Sequence, residues 1–124
     1  MKNCFCGTAK PFSACCNPLI KGNIPADSAE KLMRSRYSAY VTSAIDYLLN
    51  TTHISKRGSL ARKDILDWAK SNVWLSLEIL YADEDTVEFK ALFRDRKGKK
   101  QVHHEKSSFV FEDGRWFYLD GTFE

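Results

Sequence analysis

The stretch Glu105-Lys-Ser-Ser-Phe-Val-Phe-Glu-Asp-Gly-Arg-Trp-Phe-Tyr-Leu-Asp-Gly-Thr122 decides the fold of this chain. Two runs rich in aromatic and other β-forming residues flank Asp113-Gly114, and this dipeptide is the strongest short-range signal for a two-residue hairpin turn. Such a turn sets the register of the two strands, so residues equally far from it face each other. The predicted pairs are Glu112 with Arg115, Phe111 with Trp116, Phe109 with Tyr118, and Ser107 with Asp120.

The two faces of the predicted hairpin differ in character, because side chains alternate along a strand. One face is aromatic beside the turn and becomes polar toward the far end, where it carries two carboxylates. We interpret this face as one wall of a pocket. Its side chains are Phe111, Trp116, Phe109, Tyr118, Ser107, Asp120 and Glu105.

The residues before the hairpin predict two more strands. Apolar residues alternate from position 73, an Asp-Glu-Asp turn follows at 83–85, and a second alternating run ends at a basic tip that contains Gly98. The third strand then covers 101–112, so the four strands form an antiparallel meander. The residues expected to face the core are Val73, Leu75, Leu77, Ile79 and Tyr81 in the first strand, and Val87, Phe89, Ala91 and Phe93 in the second.

Helices precede these strands. Residues 27–30 read Asp-Ser-Ala-Glu, a capping-box-like helix start, and apolar residues then recur at helical spacing as far as Leu48, in one helix or in two. Residues 17–26 predict a short extended linker, and 55–58 a loop. Helices followed by strands predict an α+β fold, with the helices packed on one face of the sheet. A third helix, capped by Ser59, is expected to bury Leu60, Ala61, Ile65, Trp68 and Ala69.

The helical region supplies further candidates for the pocket. Arg34 and Arg36 lie two residues apart, so only one of them can share a helix face with Tyr37. Each arginine is either solvated or in a structural ion pair, or it reaches the polar end of the pocket and pairs with a carboxylate there. His53 is likewise either a hydrogen-bonded structural histidine or a partner of those groups.

The first sixteen residues contain all the cysteines, in the pattern C-x-C-x8-C-C. In a reducing compartment such a cluster favours a metal site over disulfides or free thiols. Four thiolates can surround one tetrahedral Zn²⁺, and a closed site of this kind is structural. The segment is too short for a core of its own, so the metal would supply its folding energy. The predicted ligands are Cys4, Cys6, Cys15 and Cys16.

This cysteine pattern resembles the SEC-C motif, the zinc-binding knot at the C-terminus of the SecA translocation ATPase. Residues 32–40 (Leu-Met-Arg-Ser-Arg-Tyr-Ser-Ala-Tyr) and 114–121 (Gly-Arg-Trp-Phe-Tyr-Leu-Asp-Gly) resemble the YchJ family of bacterial proteins. The resemblance implies a SEC-C knot at 1–18 and a nuclear-transport-factor-2-like domain at 27–124, which is a cone of helices against a curved antiparallel sheet. The loop between the cysteine pairs has one lysine, Lys10, where many SEC-C knots are basic. The resemblance therefore lends little support to chaperone or ribosome binding.

Composition limits the classes of partner. The chain has 124 residues and a net charge of +3 with dispersed basic residues, so nucleic acid is not an expected partner. It contains no apolar run long enough to span a membrane and no secretory signal, so we expect a cytoplasmic protein without a membrane partner. Exposed aromatic residues such as Phe117 on the outer face of the sheet could form a homodimer interface.

Two functions are compatible with these features. We favour a zinc-binding adaptor, a module that binds a protein or a small-molecule ligand in its cone domain, because the one specific motif is structural. The alternative is a small hydrolase or isomerase in which a desolvated Glu105 or Asp120 has a raised pKa and acts with His53 as an acid or base. No H-x-x-x-H, G-x-S-x-G or glycine-rich phosphate loop occurs in the sequence, so no catalytic residue is assigned.

Overall fold

The structure is a computed structural model that describes residues 3–123. Helices occupy the first half of the chain and strands the second, as the sequence predicts. After a short 3₁₀ turn at Phe12–Ala14, the helices are α1 (Asn17–Ile20), α2 (Ala29–Thr42), α3 (Ile45–Asn50), α4 (Ile54–Arg57) and α5 (Arg62–Ser71). The strands are β1 (Val73–Ala82), β2 (Thr86–Arg94), β3 (Lys100–Glu112) and β4 (Arg115–Phe123).

Within residues 3–123 the strands form one four-stranded antiparallel sheet in the order β1-β2-β3-β4, which confirms the predicted meander. The helices pack on this sheet, so the predicted α+β class is also confirmed. The β3–β4 turn has positive φ angles at Asp113 (53°) and Gly114 (78°), as a two-residue hairpin of type I′ requires.

The hairpin follows the predicted register only as far as Phe109, which pairs with Tyr118. Beyond that pair Leu119 is an extra residue on β4, so Ser107 pairs with Gly121 and the predicted Ser107–Asp120 pair is wrong. A β-bulge inserts one residue into one strand and shifts the alternation of every residue beyond it. The bulge therefore leaves Asp120 exposed beside Lys56 and places Gly121 next to Ser107.

Bulges also change the predicted faces of β1. Its pairing with β2 shifts between Trp74 and Ser76 and again between Ile79 and Tyr81. The predicted inward face is therefore correct only in the middle of the strand, at Leu77 and Ile79. The β2 strand has a regular register, and its four predicted core residues are all buried. The predicted β1 core residues that are exposed are Val73, Leu75 and Tyr81.

The long helical region is divided into two helices. Ser28 caps α2 by accepting a hydrogen bond from the Lys31 amide, as expected for a helix start at this position. Ser43 then adopts a left-handed conformation with φ of 58°, which ends α2 and allows α3 to leave in a new direction.

Three local predictions in the helical half are wrong. The expected linker contains α1, which starts with Pro18 in its first turn, a position where the missing amide costs nothing. The expected loop at 55–58 overlaps α4. The third helix begins after Ala61 instead of Ser59, and the predicted burial of Leu60, Ala61 and Trp68 is wrong. Ala61 is exposed just before the helix, and Leu60 and Trp68 line an open cavity.

The main core lies between α2 and the sheet, and it includes the four cysteines. Buried residues of α2 contact both the cysteine segment and the inner face of β2. The N-terminal segment is thus packed into the same core as the sheet. Within residues 3–123 no helix has the length and apolar character needed to cross a membrane. The buried residues of this core are Cys4, Cys6, Cys15, Cys16, Ala29, Leu32, Met33, Tyr37, Leu77, Val87, Phe89, Ala91 and Phe109.

Candidate functional site

The four cysteines converge on one point. Their Sγ atoms all lie within 4.8 Å of one another, and each side chain is buried. The local backbone produces this arrangement: the Cys4 amide donates to the Lys10 carbonyl at 2.7 Å, and Gly7 turns the chain at a φ of 93°. This φ lies in the left-handed region that glycine adopts without strain.

The sulfur spacing fits a tetrahedral metal ion. Cys15 Sγ lies 3.7 Å from Cys6 Sγ and 3.9 Å from Cys16 Sγ. A metal–sulfur distance of about 2.3 Å gives a regular tetrahedron with edges of about 3.8 Å. The cysteines form no disulfide in the structure. The residues present can therefore hold a metal ion without rearrangement of these sulfur atoms.

Polar side chains surround the sulfur atoms. Lys31 Nζ donates to Cys15 Sγ at 2.8 Å, and the Thr8 hydroxyl lies 3.1 Å from the same sulfur. Four thiolates around a divalent cation leave a net negative charge, and the Lys31 ammonium reduces it. Such groups outside the ligand shell orient the ligands and tune metal affinity. Arg34 also belongs here, because it donates to the Cys6 carbonyl at 2.6 Å.

The buried thiols shift the pKa values of one another. A hydrogen bond from Cys16 lowers the pKa of Cys6 to about 4, although burial opposes this change. The pKa of Cys16 is raised, because its thiol is hydrogen-bonded to Cys6 and is buried. A second thiolate at this distance is costly without a cation to neutralise it. Burial lowers the pKa of Lys31, but its hydrogen bond to Cys15 and the nearby sulfur charges outweigh burial and raise it.

A cavity of about 380 Å³ lies on the other side of α2, between this helix, α5 and the sheet. Its walls are largely aromatic, and its floor carries the polar end of the hairpin face. The side chains that line it include Met33, Arg36, Tyr37, Tyr40, Thr52, Lys56, Leu60, Trp68, Trp74, Phe89, Ala91, His103, Glu105, Tyr118, Asp120 and Phe123.

Glu105 is the buried carboxylate of this cavity, and it accepts three hydrogen bonds. Its Oε2 accepts from the Ser107 hydroxyl at 2.6 Å and from the Tyr118 hydroxyl at 2.8 Å, and its Oε1 lies 2.8 Å from His103 Nε2. Burial raises the pKa of Glu105, but these hydrogen bonds together outweigh burial and lower it. The expectation of a raised pKa for Glu105 is therefore wrong, because the three donors stabilise the carboxylate.

Gly121 makes room for this arrangement. A methyl carbon built on Gly121 would lie 2.6 Å from the carboxyl carbon of Glu105 and 2.7 Å from the Tyr118 hydroxyl. Both distances are well below van der Waals contact, so a larger residue must displace the carboxylate. The bulge at Leu119 is what places Gly121 opposite Ser107.

Arg36 extends from α2 to the cavity and is 7% exposed. Its Nη1 donates to three oxygen atoms at the end of α3 and just beyond it, and the nearest is the Thr51 hydroxyl at 2.7 Å. Its guanidinium carbon lies 4.6 Å from the centroid of the Tyr118 ring. Among the described residues no carboxylate lies within ion-pair distance of it, so the predicted pairing with Glu105 or Asp120 is wrong.

The family model described as "YchJ, middle NTF2-like domain" matches residues 28–121. The chain belongs to the YchJ family. The resemblance found in the sequence is thereby confirmed, and it covers the cone and all the residues that line the cavity except Phe123.

Two relatives match most of the length of the chain. The chain is 44% identical to a UPF0225 protein of Geobacter sulfurreducens, over 95% of this chain and 77% of the relative. It is 46% identical to a UPF0225 protein of Polaromonas naphthalenivorans, over 90% of this chain and 81% of the relative.

Two solved structures of SEC-C motif proteins have the same fold. A solution structure of RPA3114 from Rhodopseudomonas palustris has a TM-score of 0.90 and 38% identity, and covers 98% of both chains. A crystal structure from Psychrobacter arcticus has a TM-score of 0.81 and 31% identity, and covers 100% of this chain and 84% of the other. Both similarities include residues 4–16, so the SEC-C segment and the cone occur together in these YchJ-like folds.

The structure brings some predicted pocket residues together and separates others. Arg36, Tyr37, Glu105 and Tyr118 line the cavity, and Asp120 lies exposed at its rim. Burial raises the pKa of Tyr37 to about 12, so its hydroxyl stays protonated. The predicted candidates and wall residues that do not line the cavity are Arg34, His53, Ser107, Phe109, Phe111 and Trp116, of which Phe111 is exposed.

His53 is one of the predicted pocket residues that lie away from the cavity. Its Nδ1 accepts from the Ser55 amide at the start of α4, and its Nε2 lies 3.0 Å from Glu112. Its ring packs against Phe117 on the outer face of the hairpin, 6.0 Å between centroids. Phe117 is half-buried by this contact, and the expected homodimer on that face stays a prediction.

Sequence reasoning missed His103, Tyr40, Lys56 and Trp74 as cavity residues. A signal was present: His103 and Glu105 are two residues apart on β3 and so share a face. Helical spacing also places Tyr40 on the same face of α2 as Arg36 and Tyr37. Lys56 and Trp74 reach the cavity through helix packing and a bulge in β1, which no local pattern reveals.

Proposed function

We propose that this chain is a binding module in which a structural Zn²⁺ stabilises the position of α2, the helix that forms one wall of a ligand cavity. The observation that carries the proposal is that α2 serves both sites. Lys31 and Arg34 contact the cysteine segment, whereas Arg36 and Tyr37 line the cavity. A metal that orders the first sixteen residues therefore also supports the position of the cavity wall.

Zinc fits the donor set best. Four buried thiolates are soft ligands that select Zn²⁺ over Mg²⁺ or Ca²⁺. Four protein ligands also leave no open position for substrate or water, as in structural sites. In this proposal the ion supplies folding energy, and the chemistry of the cavity is separate from it.

Binding explains the cavity better than carboxylate catalysis does. A carboxylate that accepts three hydrogen bonds and has a lowered pKa is a weak base at neutral pH. Asp120 is exposed at the rim, and His53 lies on the other face of the hairpin. The groups that the hydrolase or isomerase hypothesis requires do not converge.

Metal analysis tests the first half of the proposal. Native mass spectrometry of the purified protein should show one zinc per chain, and Co²⁺ substitution should give the visible spectrum of tetrahedral thiolate coordination. Cys15→Ser should lose both signals, whereas Ser13→Ala, an exposed residue in the same turn, should retain them. Stoichiometric zinc in Cys15→Ser would contradict the proposed ligand set.

A cavity-filling variant tests the second half. Ala91 is buried on β2 and lines the cavity, so Ala91→Leu should reduce its volume. In a fragment screen by NMR, shift changes in the wild-type protein should map to cavity residues and should be lost in Ala91→Leu. Ser76→Leu, at an exposed position of β1, is the matched control and should keep them. Fragments that bind both variants equally would place the ligand elsewhere.

One observation favours catalysis as a second candidate. The Nε2 atom of His103 lies 2.8 Å from Glu105, and both residues line the cavity. A carboxylate can hold a histidine in one tautomer and thereby orient it as a base. If a bound fragment is chemically converted over time, His103→Asn should abolish the conversion and leave the dissociation constant of the fragment within about twofold. A fragment that stays unchanged for days supports the binding module.

A further inference from the structure

We propose that the cavity binds a small organic carboxylate with an apolar or aromatic body, and that Arg36 holds the carboxylate group. This inference rests on the proposed ligand-binding function and names the class of ligand.

The hydrogen bonds of Arg36 leave one edge of its guanidinium free. Only Nη1 donates to atoms of residues 3–123, and Nε and Nη2 have no partner there. In the described chain, every buried side-chain nitrogen or oxygen has a hydrogen-bond partner. Because Nε and Nη2 have no partner, each of them must be accessible to solvent. Arg36 is 7% exposed and lines the cavity, so the accessible space beside these nitrogens is the cavity itself.

This free edge has the geometry that recognises a carboxylate. The Nε–H and one Nη2–H bond point in parallel, and together they match the two oxygens of a planar carboxylate in a bidentate pair. The guanidinium carbon lies over the Tyr118 ring, so this ring packs against the group and helps to fix its position. Hydrogen bonds from Nη1 to the end of α3 hold the group in place before a ligand arrives.

The other charges of the cavity already have partners. Lys56 and Asp120 lie 4.0 Å apart and are exposed at the rim, and Glu105 accepts from His103, Ser107 and Tyr118. Arg36 is thus a charged group of the lining that has no carboxylate within ion-pair distance in the described structure. Burial of a charge without a partner is costly, and an anionic ligand removes that cost.

Charge and wall chemistry favour a carboxylate over phosphate. One guanidinium balances one carboxylate, whereas a phosphate dianion would keep an uncompensated charge near Glu105. The surrounding walls include Tyr37, Tyr40 and Trp74, which suit an apolar or aromatic body. A volume of about 380 Å³ is at the small end of ligand pockets, which span about 300–1,000 Å³.

The test compares phenylacetate, phenylacetamide and inorganic phosphate on the zinc-loaded full chain. The amide copies the shape of phenylacetate without its charge. We expect phenylacetate to bind at least about tenfold more tightly than phenylacetamide, as loss of a charged hydrogen-bonded pair predicts. In ¹⁵N-labelled protein, phenylacetate should shift the NMR signal of the Arg36 Nε–H group. This signal can be assigned from its contacts with the Tyr118 ring. Phosphate should not compete at equal concentration.

Matched arginine variants localise the effect. Arg36→Lys keeps the charge and loses the bidentate edge, so it should reduce the preference for phenylacetate over the amide to about threefold or less. Arg62→Lys, on the exposed face of α5, should leave the preference unchanged. If the wild-type protein binds amide and carboxylate equally, or phosphate competes, the carboxylate assignment is wrong while the binding module stands. If neither aromatic probe binds, the carboxylate assignment fails, and the fragment screen with Ala91→Leu decides separately whether the cavity binds any ligand.

Discussion

At the scale of single residues, Gly121 controls the polar floor of the cavity. Because a methyl group there would overlap the Glu105 carboxyl group, we predict that Gly121→Ala displaces it and breaks its hydrogen bonds. Overpacking and the loss of a charged hydrogen bond together should cost about 2–4 kcal/mol of unfolding free energy. Urea denaturation of the zinc-loaded protein measures this cost.

A second glycine provides the control for that experiment. Gly58 has ordinary helical φ and ψ angles, and a methyl carbon built on it meets no atom within 4 Å. Gly58→Ala should therefore be neutral or slightly stabilising. Equal stability losses in the two variants would show that contact with Glu105 is not the cause.

The lowered pKa of Glu105 predicts a pH dependence. A carboxyl group whose pKa is lower in the folded state than in the unfolded chain stabilises the fold. For Glu105 this contribution is complete at pH values above its unfolded pKa of 4.5, and it is lost as the pH falls through the folded pKa. The unfolding free energy of the wild-type protein should exceed that of Glu105→Gln by about 1–3 kcal/mol at pH 7. We expect this gap to shrink steadily below pH 4.5.

The informative quantity is the difference in unfolding free energy between the wild-type protein and Glu105→Gln. If the cysteines hold a metal ion, acid protonates the thiolates and releases it from both proteins, and this loss of stability cancels in the difference. Chemical denaturation at several pH values gives the gap directly. A gap that stays constant from pH 7 to pH 3 would mean that Glu105 has the same pKa in both states.

At the scale of elements, α2 links the cysteine segment to the cavity, and its first turn depends on the Ser28 cap. Ser28→Ala should lower the unfolding free energy by about 1 kcal/mol. Because Lys31 lies in that turn and contacts Cys15, zinc affinity measured by chelator competition should fall as well. Ser108→Ala, at an exposed position of β3, should change neither property.

Strand register shows what a local pattern can predict. The alternation of β2 is unbroken, and its predicted core residues are buried. The alternation of β1 and β4 is broken by Leu75, Leu80 and Leu119, so the predicted faces are wrong beyond those residues. No glycine or proline stands next to Leu75 or Leu80 to mark a bulge in the sequence.

At the scale of the whole molecule, the cysteines share one core with α2 and the sheet, so metal removal should destabilise more than the first sixteen residues. We predict that chelation lowers the unfolding free energy by several kcal/mol and increases amide exchange in α2 and β2. Zn²⁺ should restore protection, and Mg²⁺ should not. An apo protein with unchanged protection in β2 would mean that the knot and the cone fold independently.

The sequence alone determined the family, the cysteine cluster that could hold a metal ion, the order of helices and strands, and the turn at Asp113-Gly114. These features depend on residue types at short spacing, which a linear pattern contains. Tertiary structure decided which groups share the cavity: it paired Glu105 with His103, left Arg36 without a counter-ion and moved Asp120 to the rim. Those outcomes depend on bulges and helix packing, because contacts between distant parts of the chain determine where each side chain lies.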